Sequence, residues 1–346
     1  MARKRKTLPK EFEDLVNAGD IDALKKVFDK CEMNVYSDAL SFSNIPDELV
    51  RWLVTQGADI NAKDATYGKT ALHAHAGCWN GDITVFLELG ADITLKNKYG
   101  KTPLQVAARS YNARCVEALV NQGADIFVVN EDGMTPLEEA LNYANNTSLE
   151  RLAKIADIFL AKGQQMTPKM QEMVTALGEQ FEFYRAGFNK DYLEATEQAL
   201  FHLYQVFNVT PVAQRKIHDG VSPITLESKN WKKNYNQLWD LLVPSKGAAK
   251  TVQGEVIRIS GKVLDEITRN GGLNWRNSHK KMLDAYLVYL QSGNPLDDAL
   301  LEEAQSIVKA IRTSGNGSEE LDRLPELSVL WVANNPNPIA LGKTNY

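Results

Sequence analysis

Apolar positions recur every three or four residues along most of the chain, the periodicity of helices with one buried face. The predicted helices fall into two length classes. Up to about residue 166 they are short and paired. Phe12, Leu15 and Val16 mark one stripe and Leu24, Val27 and Phe28 the next, with Gly19-Asp20 between them. Leu49, Trp52 and Leu53 mark another, ending at Gly57, a residue suited to a left-handed C-terminal cap. From Thr167 the helices lengthen. Met173, Leu177, Phe181 and Tyr184 share one face, and Tyr192, Ala195, Ala199, Leu203 and Val206 another. Residues 209–228, broken by Pro211, Gly220 and Pro223, read as a loop with room for a short helix. Trp231, Tyr235, Leu238, Trp239 and Leu242 then form an aromatic stripe. Thr251 to Asn270 shows one face of Val252, Val256, Ile259, Val263 and Ile267, and a second of Ile257 and Leu264 near Gly254 and Gly261. Glycine inside a helix costs about 1 kcal/mol relative to alanine, so two of them predict a central helix closely approached by another backbone. Met282, Tyr286, Tyr289 and Leu290 line a further helix. One more, capped by Asn294-Pro295, carries Leu296, Leu300, Ile307, Val308 and Ile311; 313–318 reads as a linker and the end, from Asn334 to Pro338, as irregular.

The short helices repeat in register. Gly57-Ala58-Asp59-Ile60 returns as Gly90-Ala91-Asp92-Ile93 and Gly123-Ala124-Asp125-Ile126, 33 residues apart each time. Between them stand Gly68-Lys69-Thr70-Ala71-Leu72-His73, Gly100-Lys101-Thr102-Pro103-Leu104 and Gly133-Met134-Thr135-Pro136-Leu137. Each threonine is placed to cap free backbone donors at a helix start, and each proline follows where its missing N–H costs little. The leucines begin apolar faces that one helix pair cannot bury alone, so stability requires a stack. A 33-residue period with a Thr-Pro-Leu-His-like phrase resembles ankyrin repeats. The resemblance implies an all-α protein: an ankyrin-repeat solenoid of about five units over 9–166, its first unit a cap, followed by an α-helical C-terminal domain over 167–346. The last unit reaches Gly163, 40 residues after Gly123, and its seven extra residues are placed around 142–149, where Asn145-Asn146-Thr147-Ser148 has loop composition. Two departures stand out. An extra residue, Tyr67 or a neighbour, precedes Gly68 and predicts a local bulge. His75 occupies a slot the family fills with alanine, whereas His73 falls in its histidine slot, which implies a hydrogen bond to the adjoining turn.

The family binds other proteins on a concave surface made by the hairpin tips and the exposed side of each first helix. The matching positions here are Tyr67 and Lys69; Lys98, Tyr99, Lys101, Arg109 and Ser110; and Glu131, Asp132, Met134 and Leu141. Trp79, Tyr111 and Tyr143 lie just beyond, near the helix-to-helix turns. Tyr, Trp and Arg combine large apolar area with hydrogen bonding and dominate interfaces. The expected partner-binding set is therefore Tyr67, Lys69, Trp79, Lys98, Tyr99, Lys101, Arg109, Tyr111 and Met134. Lys96, Lys98, Lys101, Arg109 and Arg114 also form a basic strip beside Glu131, Asp132, Glu138 and Glu139. That pattern suits a partner with matching patches, or equally a solvated face whose charges contribute little.

Composition narrows the function further. A 346-residue chain with 44% hydrophobic and 24% charged residues suits globular units, and the net charge of −5, spread over both halves, is no nucleic-acid footprint. No apolar run approaches the roughly 18 residues that span a bilayer. The basic run Arg3 to Lys6 has no apolar stretch behind it; it reads as a frayed terminus or a localisation signal, not a secretory leader. Cys31, Cys78 and Cys115, odd in number and far apart, suit reduced thiols in a cytoplasmic protein. They form no metal pattern with histidine, and the pair His73/His75 lacks a third ligand.

Catalytic signals are sparse. Gly-Lys-Thr occurs at Gly68, Gly100 and Gly342, but the glycine a phosphate loop needs five positions earlier is replaced by Lys63, Leu95 and Asn337. Glu255 and Arg258 share a helical turn, with Asp265, Glu266 and Arg269 further on; together with Asn270, Asn274 and His279 they suit either a polar pocket or an ion pair on a helix flank. The segment from Val252 to Arg258 through Asn270 to Trp275 resembles helical domains of bacterial ankyrin-repeat proteins that lack assigned chemistry. Some bacterial ankyrin-repeat proteins are immunity factors that block a cognate toxin. The reading is of a monomeric, cytoplasmic, bacterial protein that binds another protein without catalysis, cofactor or metal, through its concave face, in the sharpest version as an immunity protein. An adaptor or effector, or an enzyme with its site near Glu255 and Arg258, is the alternative.

Overall fold

A computed structural model describes residues 4–314 and 321–346, which contain 17 α-helices and no strands beyond two isolated bridges. The chain forms two compact units. The first comprises Met1–Phe181 with Asn189–Val212, and the second Glu182–Phe188 with Ala213–Tyr346.

The first unit opens with five helix pairs: α1 (Phe12–Ala18) and α2 (Ile21–Phe28), α3 (Met33–Ala39) and α4 (Asp47–Thr55), α5 (Ala71–Ala76) and α6 (Thr84–Glu88), α7 (Pro103–Arg109) and α8 (Ala113–Asn121), and α9 (Pro136–Asn142) and α10 (Leu149–Ala161). Thr70, Thr102 and Thr135 start α5, α7 and α9 with reciprocal capping boxes, answered by His73, Gln105 and Glu138. Leu24, Phe28, Leu53, Leu72, Phe86, Leu104, Leu119, Leu137 and Phe159 belong to one buried apolar cluster that runs the length of the stack. Polar ties join neighbouring pairs: His73 Nε2 meets Lys101 O at 3.0 Å, as its slot implies, Lys63 Nζ donates to Lys96 O at 2.8 Å, and Asn112 Nδ2 donates to Cys78 O at 2.7 Å. His75 is likewise structural, with Nε2 2.8 Å from Leu40 O and its ring stacked on Phe86 at 4.6 Å.

The seven extra residues of the last pair are divided. Three lengthen the α9–α10 loop (143–148, against 110–112 after α7), and four lengthen α10, which has 13 residues where α8 has 9. The basic terminus is less free than expected where it is described: Arg5 N donates to Lys30 O and Arg5 O accepts from Glu32 N, at 2.7 and 2.8 Å.

The unit continues past residue 166. Helices α11 (Pro168–Tyr184) and α12 (Lys190–Val206) follow, with α12 packed along α10. Met170, Val174, Phe181, Leu200, Leu203 and Phe207 join the same apolar cluster as the repeats. Tyr204 Oη lies so close to Gly178 that a Cβ there would sit 1.8 Å away. The expected boundary at 166 therefore follows the end of the repeated phrase, whereas burial carries the compact unit further.

The second unit contains α13 (Trp231–Leu242), α14 (Val252–Thr268), α15 (Asn277–Leu290), α16 (Asp298–Ser314) and α17 (Arg323–Asn334). As the glycines predict, α14 is central, packing on α13, α15 and α17. A Cβ on Gly261 would stand 2.2 Å from a Trp239 ring carbon, and one on Gly254 would stand 2.9 Å from Leu242 O. Residues 213–230 contain no helix and are fixed by Arg215, whose guanidinium donates to the carbonyls of Asp240 (2.6 Å), Trp239 (3.0 Å), Val243 (2.6 Å) and Phe183 (3.2 Å) while lying over the Phe183 ring. Asp297 rather than Asn294 caps α16, accepting from Leu300 N at 2.9 Å; Asn294 binds Asn334 O and Asn335 instead. Residues 315–318 of the expected linker lie outside those described. The irregular end is a strap across the start of α14: Gln253 donates to Asn335 O and Asn337 O and accepts from Ile339 N, and Val252 N donates to Ile339 O.

Candidate protein-interaction face

The hairpin turns ahead of α5, α7 and α9 are organised by one side chain each. Asn97 Oδ1 accepts from Tyr99 N and Lys101 N, and Asn130 Oδ1 accepts from Asp132 N and Met134 N, all at 2.9–3.1 Å. In the first of these turns Asp64 does the same for Tyr67 N and Lys69 N, at 2.6 and 2.7 Å, one residue further along than its counterparts. That offset is the predicted bulge. Burial pushes the Asp64 carboxyl up, but these backbone donors outweigh it and hold it below its ordinary value.

The rigid tips present Tyr67 and Tyr99, 47% and 52% exposed, stacked with centroids 6.3 Å apart. Lys69 Nζ stands 5.1 Å from the centre of the Tyr67 ring, and the Arg109 guanidinium lies over Tyr143 at 4.2 Å. Between Tyr99, Arg109 and the tip at Glu131 and Asp132 opens a cleft of about 380 Å³, lined also by Lys69, Lys101 and Val106. Four residues of the expected set thus line the cleft, Lys69, Tyr99, Lys101 and Arg109, and a fifth, Tyr67, stacks on Tyr99 beside it. Lys101 is partly committed, since it pairs with Glu139, a carboxylate only 1% exposed whose second oxygen has no hydrogen-bond partner among the described residues.

The other four expected residues are placed differently. Met134 is 7% exposed, although its backbone closes the turn on Asn130 with the same bonds that Lys69 and Lys101 make in theirs; its apolar side chain is buried where those lysines are half-buried. Leu141 is buried as well. Tyr111, in left-handed backbone at φ 54°, is half-buried and donates its hydroxyl to Ala140 O at 3.1 Å, so it braces the next pair instead of facing a partner. Lys98 is exposed, but its Nζ donates to Ala65 O at 2.6 Å, tying two tips together. Trp79 is 62% exposed and carries Arg151 over its ring at 4.8 Å, outside the cleft. Arg151, in α10, carries no signal in the repeated phrase that would place it over Trp79, and the position of Tyr143 near a turn does not disclose that it seats Arg109.

The second unit places Glu255 and Arg258 differently. Both are buried and paired: Arg258 Nε donates to Glu255 Oε2 at 2.8 Å and Ala249 N to the same oxygen at 2.9 Å. Burial pushes the Glu255 carboxyl up, and the Arg258 guanidinium and Ala249 N–H overcome it and leave it below its usual range. Asn270 and Asn274 bind Glu266 instead, about 16 Å along the helix from Glu255 at 1.5 Å per residue. The pair is thus neither an exposed flank nor part of a convergent pocket with those residues. Among the described residues no group of three or more His, Cys, Asp or Glu is placed to hold a metal ion, and no helix is long and apolar enough to cross a membrane.

A family model for ankyrin repeats, in three copies, matches residues 37–126 and, overlapping, 75–162. The N-terminal region is an ankyrin-repeat array. The match begins at residue 37, within α3, and so takes in most of the pair α3 and α4. Among curated proteins, the E3 ubiquitin-protein ligase KEG of Arabidopsis thaliana is 40% identical over 75 residues, 21% of this chain and 5% of that protein. The chain thus spans a small fraction of that relative, and the likeness is of a size that two or three ankyrin units would give. An ankyrin array is a protein–protein interaction module, and the stacked tyrosines and the cations seated on rings lie on its hairpin tips and first helices.

Proposed function

We propose that the chain is a non-catalytic binding protein whose ankyrin array takes a partner protein on the face bearing Tyr67, Tyr99, Lys69 and Arg109. One observation carries the reading: two large aromatic rings stand half-exposed on rigid tips, beside a cleft whose cations rest on rings. Rings and guanidinium groups held in place lose little conformational freedom on binding, which is the character of interface hot spots. The partner is met in the cytoplasm, where the three free thiols stay reduced.

The test is affinity capture with the full chain beside a Tyr67→Ala, Tyr99→Ala, Arg109→Ala variant, matched for helical circular dichroism and thermal midpoint. A partner held by the parent and lost from the folded variant supports the assignment. Equal capture by both refutes it and moves attention to the second unit. The partner's own activity then separates the finer roles: loss on binding marks an inhibitor of the immunity type, and retention marks an adaptor.

A further inference from the structure

Resting on that reading of the face, we infer that the cleft receives a carboxylate side chain of the partner, from an Asp or Glu followed closely by a basic residue. The charges in and around the cleft are not equivalent. Lys101 is already neutralised by Glu139 beneath it. Lys69 and Arg109 have no carboxylate within ion-pairing distance among the described residues; each is half-buried and held against an aromatic ring, Tyr67 and Tyr143. A ring steadies a cation through its face while leaving the donor N–H groups open at the edge. The guanidinium fork of Arg109 suits two-point recognition of a carboxylate, and partial burial strengthens that bond relative to one in open water.

The opposite rim selects against a uniformly acidic segment. Glu131 and Asp132 are exposed at the next tip and line the same cleft. They would repel a second acid and attract a lysine or arginine. The cleft, about 380 Å³, has room for a few side chains and not for a folded element. The occupant that satisfies both walls is an extended or loop segment of mixed charge, its acid against Arg109 and Lys69 and its base against Glu131 and Asp132. Complementarity of this kind fixes register and suppresses wrong partners.

The experiment uses a random displayed peptide library, selected on the full chain and counter-selected on the Arg109→Glu variant, with Tyr99→Ala and Glu131→Gln/Asp132→Asn variants for scoring. The expected result is enrichment of Asp or Glu at one position with Lys or Arg within the next three. Binding of the enriched peptides should weaken on the order of tenfold or more in Arg109→Glu, by less in the Glu131/Asp132 variant, and should weaken with added salt. Peptides that depend on Tyr99 but show no acidic position would overturn the inference and leave the binding face standing. Peptides indifferent to Arg109, Tyr99 and the rim acids alike would overturn both.

Discussion

Replacing Gly261 by alanine tests the packing at the centre of the second unit by sign. In an open helix the substitution stabilises by about 1 kcal/mol. Here the added methyl would lie 2.2 Å from a Trp239 ring carbon and 2.6 Å from Tyr235 Oη, where unstrained carbon contacts need about 3.5–4.0 Å. Neither ring can step aside without loss. Tyr235 donates to Ile257 O at 3.0 Å, and Trp239 lies parallel to Phe183 with centroids 6.2 Å apart. Overpacking of this kind costs about 1–3 kcal/mol, and abandoning the buried Tyr235 bond adds about 1–3 kcal/mol. Less the helical gain, Gly261→Ala should destabilise the second unit by about 1–5 kcal/mol. Because two units need not unfold together, the readout is hydrogen exchange of peptides from α13 and α14 under native conditions, alongside urea denaturation. Faster exchange there, with the ankyrin array unchanged, is the expected result. Equal or slower exchange would refute the close approach of α13 to α14.

Three further outcomes follow from the geometry. Arg215→Met should loosen 182–188 and the end of α13, at a cost of about 2–4 kcal/mol for four carbonyls that lose the guanidinium, and Arg215→Lys should not rescue it; unchanged exchange in those peptides would contradict this. Glu255→Gln or Arg258→Met alone should destabilise by about 3–5 kcal/mol by leaving a buried charge uncompensated, while the double variant should be milder than either, as a double-mutant cycle in urea would show. Burial holds His73 and His75 below the ordinary histidine value, so the unfolded chain binds protons first as pH falls. Their contribution to array stability is full above about pH 6.5 and declines below it until the folded rings themselves titrate. The array's denaturation midpoint should therefore fall between pH 7.5 and 5.5 more steeply in the parent than in His73→Gln, which copies Gln105 of the next unit; parallel slopes would count against it.

What could be read in advance was whatever repeats or has a period. Threonine caps, the positions of Leu72, Leu104 and Leu137, and the bulge before Gly68 follow from local rules applied three times over. Gly254 and Gly261 announced a close approach because a helix tolerates them only for a reason. The misplacements have a common physical origin, tertiary context. Met134 holds the same slot and the same turn bonds as the half-buried Lys69 and Lys101, but its apolar side chain is buried. Arg215 lies in a proline- and glycine-marked loop and looks like a surface cation, yet it finds four carbonyls. Gln253 looks like a polar break on an apolar face, and its amide is what anchors the strap. Nor does any period mark that α11 and α12 share the array's core, since their stripes resemble those of the helices that follow.

The strap has a consequence for the order in which the molecule matures. Within the ankyrin array the polar ties reach about one repeat ahead, as from Lys63 to Lys96, so each unit can dock as soon as its successor leaves the ribosome. Gln253, by contrast, waits for Asn337 and Ile339, 84 and 86 residues downstream. Until those residues emerge, the first turn of α14 carries an amide made for bonds that do not yet exist. Vectorial synthesis therefore delivers a finished binding face on a chain whose second half is still open.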